Sequence, residues 1–106
     1  MALVDPTQDP GVVGGHQLLE FADALLGTDR GALDRARNAV ANVMGGEAIA
    51  GVAAVAATFS MNDRIANACG IPVEPMVLKT TKDLRAAMGI NNYRSAAYTF
   101  KHFQDA

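Results

Sequence analysis

The sequence contains a single cysteine, Cys69. One cysteine excludes an internal disulfide, a CxxC redox pair and a zinc site built from several thiolates. It also fits a reducing compartment. The N-terminus lacks a cationic segment followed by an apolar one, so no secretory signal is visible. We therefore expect a cytoplasmic protein that cannot perform dithiol redox chemistry alone.

Basic residues are also scarce. Nine Lys and Arg stand against eleven Asp and Glu, which gives a net charge of -2. Binding to a nucleic-acid backbone needs clustered cations, so we expect no nucleic-acid partner. The longest nearly uncharged apolar run, residues 48–61, is shorter than the roughly 20 residues that cross a bilayer, and Asp63 and Arg64 follow it. We expect no membrane partner.

Large aromatic residues are few: there is no tryptophan, and there are four phenylalanines and two tyrosines. Half of the 106 residues are hydrophobic, and alanine is the most common of them. Such a core requires closely packed helices, and strand-like alternation is suggested only around Met76–Leu78. The length suits one domain. We predict an all-α fold, a small bundle of about five helices around one long, central, Ala/Val-rich helix.

Glycine and proline divide the chain. Their density in residues 1–15 predicts a flexible N-terminal arm, followed by a single helical domain over 16–106. The spacing of apolar residues predicts helices over 16–26 and from an N-cap at Thr28 to Gly45. A capping box at Thr80–Asp83 then predicts a short helix that ends at Gly89, and Asn91-Asn92 cap a last helix.

The third predicted helix, over residues 47–69, ends at Gly70 and spans on the order of 35 Å. Its N-terminal half is apolar on all sides, so it must be covered all round. We expect a buried central helix and self-association of the chain. The two apolar stripes on opposite sides of this helix are Ile49, Val52, Val55, Ala56, Phe59 and Ala66, and Ala54, Thr58, Met61, Ile65 and Cys69.

A polar ridge closes this helix: Ser60, Arg64 and Asn67 share one face, with Asp63 beside it. Arg64 either binds the carboxylate of a ligand or pairs with Asp63, or with another acid, in a buried network that fixes helix packing. We favour the network, because buried ion pairs are usually structural.

No other residues form a convincing site. Cys69 lies at a helix C-terminus, where the dipole disfavours a thiolate, and its inert packing is expected. His16 and His102 lack the spacing of metal ligands. We therefore assign no catalytic residue, no metal and no cofactor.

The stretch from Leu18 to Pro72 resembles the C-terminal half of the alkylhydroperoxidase D-like (AhpD-like), carboxymuconolactone decarboxylase superfamily. The likeness rests on the helix LLEFADALLG, a connecting helix, and a long Ala/Val helix that closes with F-S-x-N-D-R-I-A-N-x-x-G-I-P. The family closes this helix with a pattern like F-N-x-x-N-R-x-A-D-x-x-G. The matching residues are Phe59, Arg64, Ala66 and Gly70, while Ser60, Asp63 and Asn67 replace the family's Asn, Asn and Asp.

The resemblance implies an all-helical fold that assembles into trimers, hexamers or similar oligomers. Peroxidase members use a CxxC pair with a nearby Glu and His in the preceding half, which has no counterpart here. The decarboxylase branch does not depend on that pair. We expect a non-catalytic helical module that forms a homo-oligomer or completes a cysteine-bearing partner subunit. The alternative is a cofactor-free enzyme of the decarboxylase type, or a small-acid binding protein, that uses Arg64.

Overall fold

A computed structural model describes residues 5–104. Within this range the chain is helical with no strand, which confirms the all-α class. It forms two compact units, Met1–Ser60 and Met61–Ala106, whose boundary falls within α3. A single domain over 16–106 stays a prediction. The elements are α1 (Gly15–Leu26), α2 (Arg30–Met44), α3 (Ala48–Cys69), α4 (Pro75–Thr80), α5 (Lys82–Met88), 3-10 turns at Ile90–Asn92 and Arg94–Ala96, and α6 (Ala97–Phe100).

Residues 5–14, which belong to the predicted arm, form turns held by aspartate side chains. Asp5 Oδ1 accepts hydrogen bonds from the hydroxyl of Thr7 at 2.7 Å and from its backbone N–H at 3.0 Å. These bonds stabilise the carboxylate and lower the pKa of Asp5 below its ordinary value. Asp9 accepts from the backbone N–H of Gly11 in the same manner. Residues 1–4 lie outside the described residues, and the flexibility of the arm stays a prediction.

Unit one has a small core that α1 and α2 build. Phe21, Ala36 and Val40 are buried in it, and Val40 is fully inaccessible to solvent. The N-cap of α2 is Asp29, whose carboxylate accepts from the N–H of Ala32 at 3.1 Å. The predicted cap at Thr28 is therefore wrong by one residue, because the aspartate takes the capping bond.

The third helix ends where the sequence predicts. Gly70 has a φ of +66°, a left-handed conformation that glycine adopts without strain. Its N–H donates to the carbonyl of Asn67 at 3.2 Å, and the N–H of Ile71 donates to the carbonyl of Ala66 at 3.0 Å. These two bonds form a Schellman motif, which satisfies carbonyls at the helix end.

The expectation that α3 is buried is wrong for the single chain, because none of its 22 residues is buried. Its first apolar stripe is only partly covered: Ile49 and Val52 pack against the core of unit one, whereas Val55 and Phe59 are 60% and 67% exposed. The opposite stripe is exposed throughout. The core of α1 and α2 therefore contacts α3 only near its N-terminus, and most of the apolar surface of α3 is accessible to solvent.

In unit two, residues 76–78 are helical and not strand-like. Pro75 occupies the first turn of α4, where its missing N–H is not needed. The predicted capping box at Thr80–Asp83 is also wrong. The hydroxyl of Thr80 donates to the carbonyl of Met76 at 3.1 Å. Thr81 is instead the N-cap of α5, and its hydroxyl donates to the carbonyl of Val77 at 2.6 Å and makes no capping bond.

The predicted Asn-capped last helix is replaced by two 3-10 turns and the short α6. Asn91 lies inside the first 3-10 turn, and its side-chain oxygen accepts a hydrogen bond from Arg85. Because that oxygen is engaged by a guanidinium, it does not cap a helix.

The core of unit one predicts a difference between two valines of α2. Val40→Ala should lower the free energy of unfolding by about 2 kcal/mol, because it removes two fully buried methyl groups and leaves a cavity. Val43→Ala, at a side chain that is 46% exposed, should cost less than half as much. Chemical denaturation of both variants measures the difference, and equal losses would contradict this description of the core.

Candidate functional site

The predicted polar ridge lies on the surface. Ser60 is half-buried, and Asp63, Arg64 and Asn67 are exposed. In the single chain α3 provides no buried position for a guanidinium, so a buried network around Arg64 stays a prediction. A ligand-binding role for these four residues stays a prediction.

A buried arginine does exist, at Arg85 of α5, which is 6% exposed. One terminal nitrogen donates to the carbonyl of Leu78 at 2.7 Å, and the other donates to the side-chain oxygen of Asn91 at 2.7 Å. Nε donates to the hydroxyl of Thr81 at 3.2 Å, and the guanidinium carbon lies 6.0 Å from the centre of the Phe100 ring. The arginine thus joins α4, α5, the first 3-10 turn and α6.

The hydrogen bond from Arg85 to Leu78 stabilises the C-terminal end of α4. The last four carbonyls of a helix have no partner within it, and Leu78 provides one of them in the short α4. Arg85 satisfies that carbonyl with a charge-assisted hydrogen bond. The sequence contained a signal for this arrangement, because Leu78, Thr81 and Arg85 follow the spacing of one helical face. Sequence reasoning missed it, since it sought the network on α3.

A second buried polar residue ties α6 to the segment after α3. Thr99 is 6% exposed, and its hydroxyl oxygen accepts from the backbone N–H of Val73 at 2.8 Å. With Arg85, it gives unit two an interior whose polar groups have partners. This interior is suited to holding short helices together, and it presents no free reactive group.

A regular row of exposed, mostly apolar residues runs along one side of α3, and we name this row the outer seam. All of its members are exposed. Met61 and Ile65 are its largest side chains, with 54% and 53% of their surfaces accessible. The hydroxyl of Thr58 donates to the carbonyl of Ala54 at 2.7 Å, so its methyl group is left to the surface. The outer seam consists of Gly51, Ala54, Thr58, Met61, Ile65 and Ala68.

The spacing of the outer seam has a physical meaning. Its steps alternate between three and four residues, as do the a and d positions of a coiled coil. Residues 48–62 contain no Asp, Glu, Lys or Arg, so no charge interrupts the N-terminal two-thirds of the helix. This surface is therefore suited to packing against another helix.

An open groove of about 730 Å³ lies between α1 and α2. Alanines line much of it, and Glu20, Asp23, Asp29 and Arg35 stand among them. Asp29 already serves as the N-cap of α2. The groove includes none of the four residues of the predicted ridge, so it provides no enclosure for a ligand of Arg64. Residues 5–104 contain no group of three or more His, Cys, Asp or Glu arranged to hold a metal ion.

In the part of the chain that the structure describes, no helix combines the length and the hydropathy that crossing a membrane requires. Comparison of the chain with family models, with curated proteins and with solved structures gave no match. The likeness to the AhpD-like superfamily therefore stays a prediction.

The two arginines give a matched test of which one holds the fold together. Arg85→Met should lower the free energy of unfolding by about 2–4 kcal/mol, because it removes hydrogen bonds from a charged donor and leaves a buried carbonyl without that donor. Arg64→Met, at an exposed position, should change it by about 0.5 kcal/mol or less. Urea denaturation followed by circular dichroism measures both, and a larger loss for the Arg64 variant would reverse the assignment.

Proposed function

We propose that this chain is a helical oligomerisation module in which copies associate along the outer seam of α3. The observation that carries the proposal is the seam itself, a heptad-spaced apolar row whose members are all exposed. A helix that is apolar on all sides needs cover on all sides. The core of α1 and α2 contacts only Ile49, Val52 and Ala53 of α3, and no residue of this helix is buried.

Association along the outer seam removes apolar surface from water, which contributes favourable free energy. Met61 and Ile65 each have about half of their surface accessible. Full burial of such a side chain is worth about 1.5–3 kcal/mol, so covering the accessible half contributes roughly 1 kcal/mol per side chain. In a symmetric dimer the side chains of both copies contribute this free energy. The entropic cost of association is subtracted from the total.

The resemblance described above supports the same reading, because it implies a fold that forms oligomers. The proposal assigns the chain no catalytic residue and no cofactor. In this proposal a second copy of the chain binds to the seam. The alternative is a cysteine-bearing partner subunit, and the molecular mass of the purified chain distinguishes the two.

A charged residue in the seam should dissociate the assembly. Ile65→Glu places a carboxylate where a second copy would bury it, and desolvation of an unpaired charge is expensive. We expect light scattering at micromolar concentration to show an oligomer for the native chain and a monomer for this variant. Circular dichroism should show unchanged helix content.

Met76→Glu is the matched control. Met76 lies on α4, is not a member of the seam, and is 76% exposed, so the same kind of change should leave the mass of the oligomer unaltered. A native chain that is monomeric at every concentration would contradict the proposal. So would an Ile65→Glu variant that keeps the oligomeric mass.

A further inference from the structure

We infer that residues 75–88 are one helix that the side chain of Arg85 holds in two pieces, and that a continuous helix is their alternative conformation. The two pieces are α4 and α5, and Thr81 is the single residue between them. All the residues concerned belong to unit two. This conformational device is separate from the proposed oligomerisation and does not depend on it.

The sequence of the segment has the start and stop signals of a single helix. Pro75 occupies the first turn of α4, a position that helix starts favour. Gly89 follows α5 with a left-handed φ of +68°, which is typical of a helix end. No glycine and no other proline stands between these two residues. The residue types therefore give no reason for the backbone to break in the middle.

The backbone nevertheless departs from helical geometry at Thr81. Its φ is -105° and its ψ is 8°, whereas an α-helix has values of about -63° and -42°. Sharp bends that are not caused by proline or glycine arise where a side chain or a water molecule inserts into the helical hydrogen-bond ladder. The cause of the break is therefore a group that competes for the carbonyls before Thr81.

The guanidinium of Arg85 is such a group. In a continuous helix the carbonyl of Leu78 accepts from the backbone N–H four residues later. Here it accepts from a terminal nitrogen of Arg85 at 2.7 Å, a charge-assisted bond that is stronger than a neutral one. The guanidinium is held in place by the side-chain oxygen of Asn91, also at 2.7 Å, and lies 6.0 Å from the centre of the Phe100 ring.

The threonine hydroxyls at the junction are a weaker cause. Those of Thr80 and Thr81 each donate to the carbonyl four residues before them, and such bonds destabilise a helix only slightly. The same bond occurs within α3, where the hydroxyl of Thr58 donates to a carbonyl at 2.7 Å. The 22 residues of α3 form one helix through that position. A threonine bond alone therefore does not break a helix in this chain, and Arg85 is the feature that distinguishes the junction.

The position of Arg85 couples the break to the rest of unit two. Each residue that joins a formed helix adds a backbone hydrogen bond, so a continuous helix would gain bonds across the junction. It would also withdraw the guanidinium from Leu78, from Asn91 in the first 3-10 turn and from Phe100 in α6. A side chain shared by several elements makes them change together, as in proteins that switch between two discrete arrangements.

Arg85→Leu tests the inference in the full chain. Leucine is a good helix former without a hydrogen-bond donor. In the native chain we expect the NMR ¹³Cα shift of Thr81 to lie outside the helical range. In the variant it should move into that range, and residues 75–88 should give the shifts of one helix. A helical shift at Thr81 in the native chain would overturn the inference, as would a variant in which the break persists.

Thr81→Ala is the matched control. It removes the hydroxyl that donates to Val77 and accepts from Nε of Arg85, but it leaves the bond from Arg85 to Leu78. Alanine is the best helix former, so this change itself favours a continuous helix. We expect the break to persist all the same. If Thr81→Ala closes the break, the guanidinium does not suffice to hold it open, and the inference is overturned.

A second substitution covers the case in which Arg85→Leu does not fold. Arg85→Ala removes the guanidinium without adding apolar bulk to the interior, and the same shifts are measured. The methyl signals of Val40, in the core of unit one, report that the remainder of the chain is intact. If both variants lose the helical shifts of unit two, a continuous helix is not an alternative conformation of this segment, and the inference is overturned.

Discussion

An alanine-rich helix presents apolar surface on every side, and α1 and α2 cover only the N-terminal part of one side of α3. Their core is small: Phe21, Ala36 and Val40 are the buried residues around which Ile49 and Val52 of α3 pack. With α2 only 15 residues long and α1 only 12, these helices cannot surround a helix of 22 residues. The outer seam is exposed because α3 is longer than the helices that pack against it. The proposed association of copies would cover the seam.

Unit two is stabilised in a different way from unit one, because its helices are too short to be stable by themselves. Helices of six, seven and four residues have few internal hydrogen bonds, and isolated helices of this length are unstable in water. Arg85 and Thr99 supply the missing partners from the interior. Polar contacts therefore do here what hydrophobic burial does in the core of unit one.

The sequence predicted the long elements well and the short ones poorly, for physical reasons. The helices at 16–26 and 47–69 have many turns, and glycine at position 70 marks an end that backbone geometry then enforces. The capping residues Thr28, Thr80 and Asn91 were misassigned because other groups compete for the same hydrogen bonds. Asp29 takes the cap of α2, the hydroxyl of Thr80 donates to the carbonyl of Met76, and Arg85 engages Asn91.

Burial was the least predictable property. The apolar pattern indicated that α3 has two hydrophobic sides, and the structure shows that α1 and α2 leave one of them exposed. The pattern of a single chain cannot distinguish a side covered by its own helices from a side covered by a second copy. For the same reason Arg64, expected in a buried network, lies on the surface, while the buried arginine is Arg85.

The central claim is that a second copy covers the outer seam, and methyl NMR during dilution tests it most directly. The methyl signals of Met61 and Ile65 should shift as the protein is diluted and the seam becomes exposed. The signals of Val40, which is buried in the core of unit one, and of Met76, which is exposed on α4, should stay in place. If all four signals are independent of concentration and the protein has the mass of one chain throughout, the claim is contradicted.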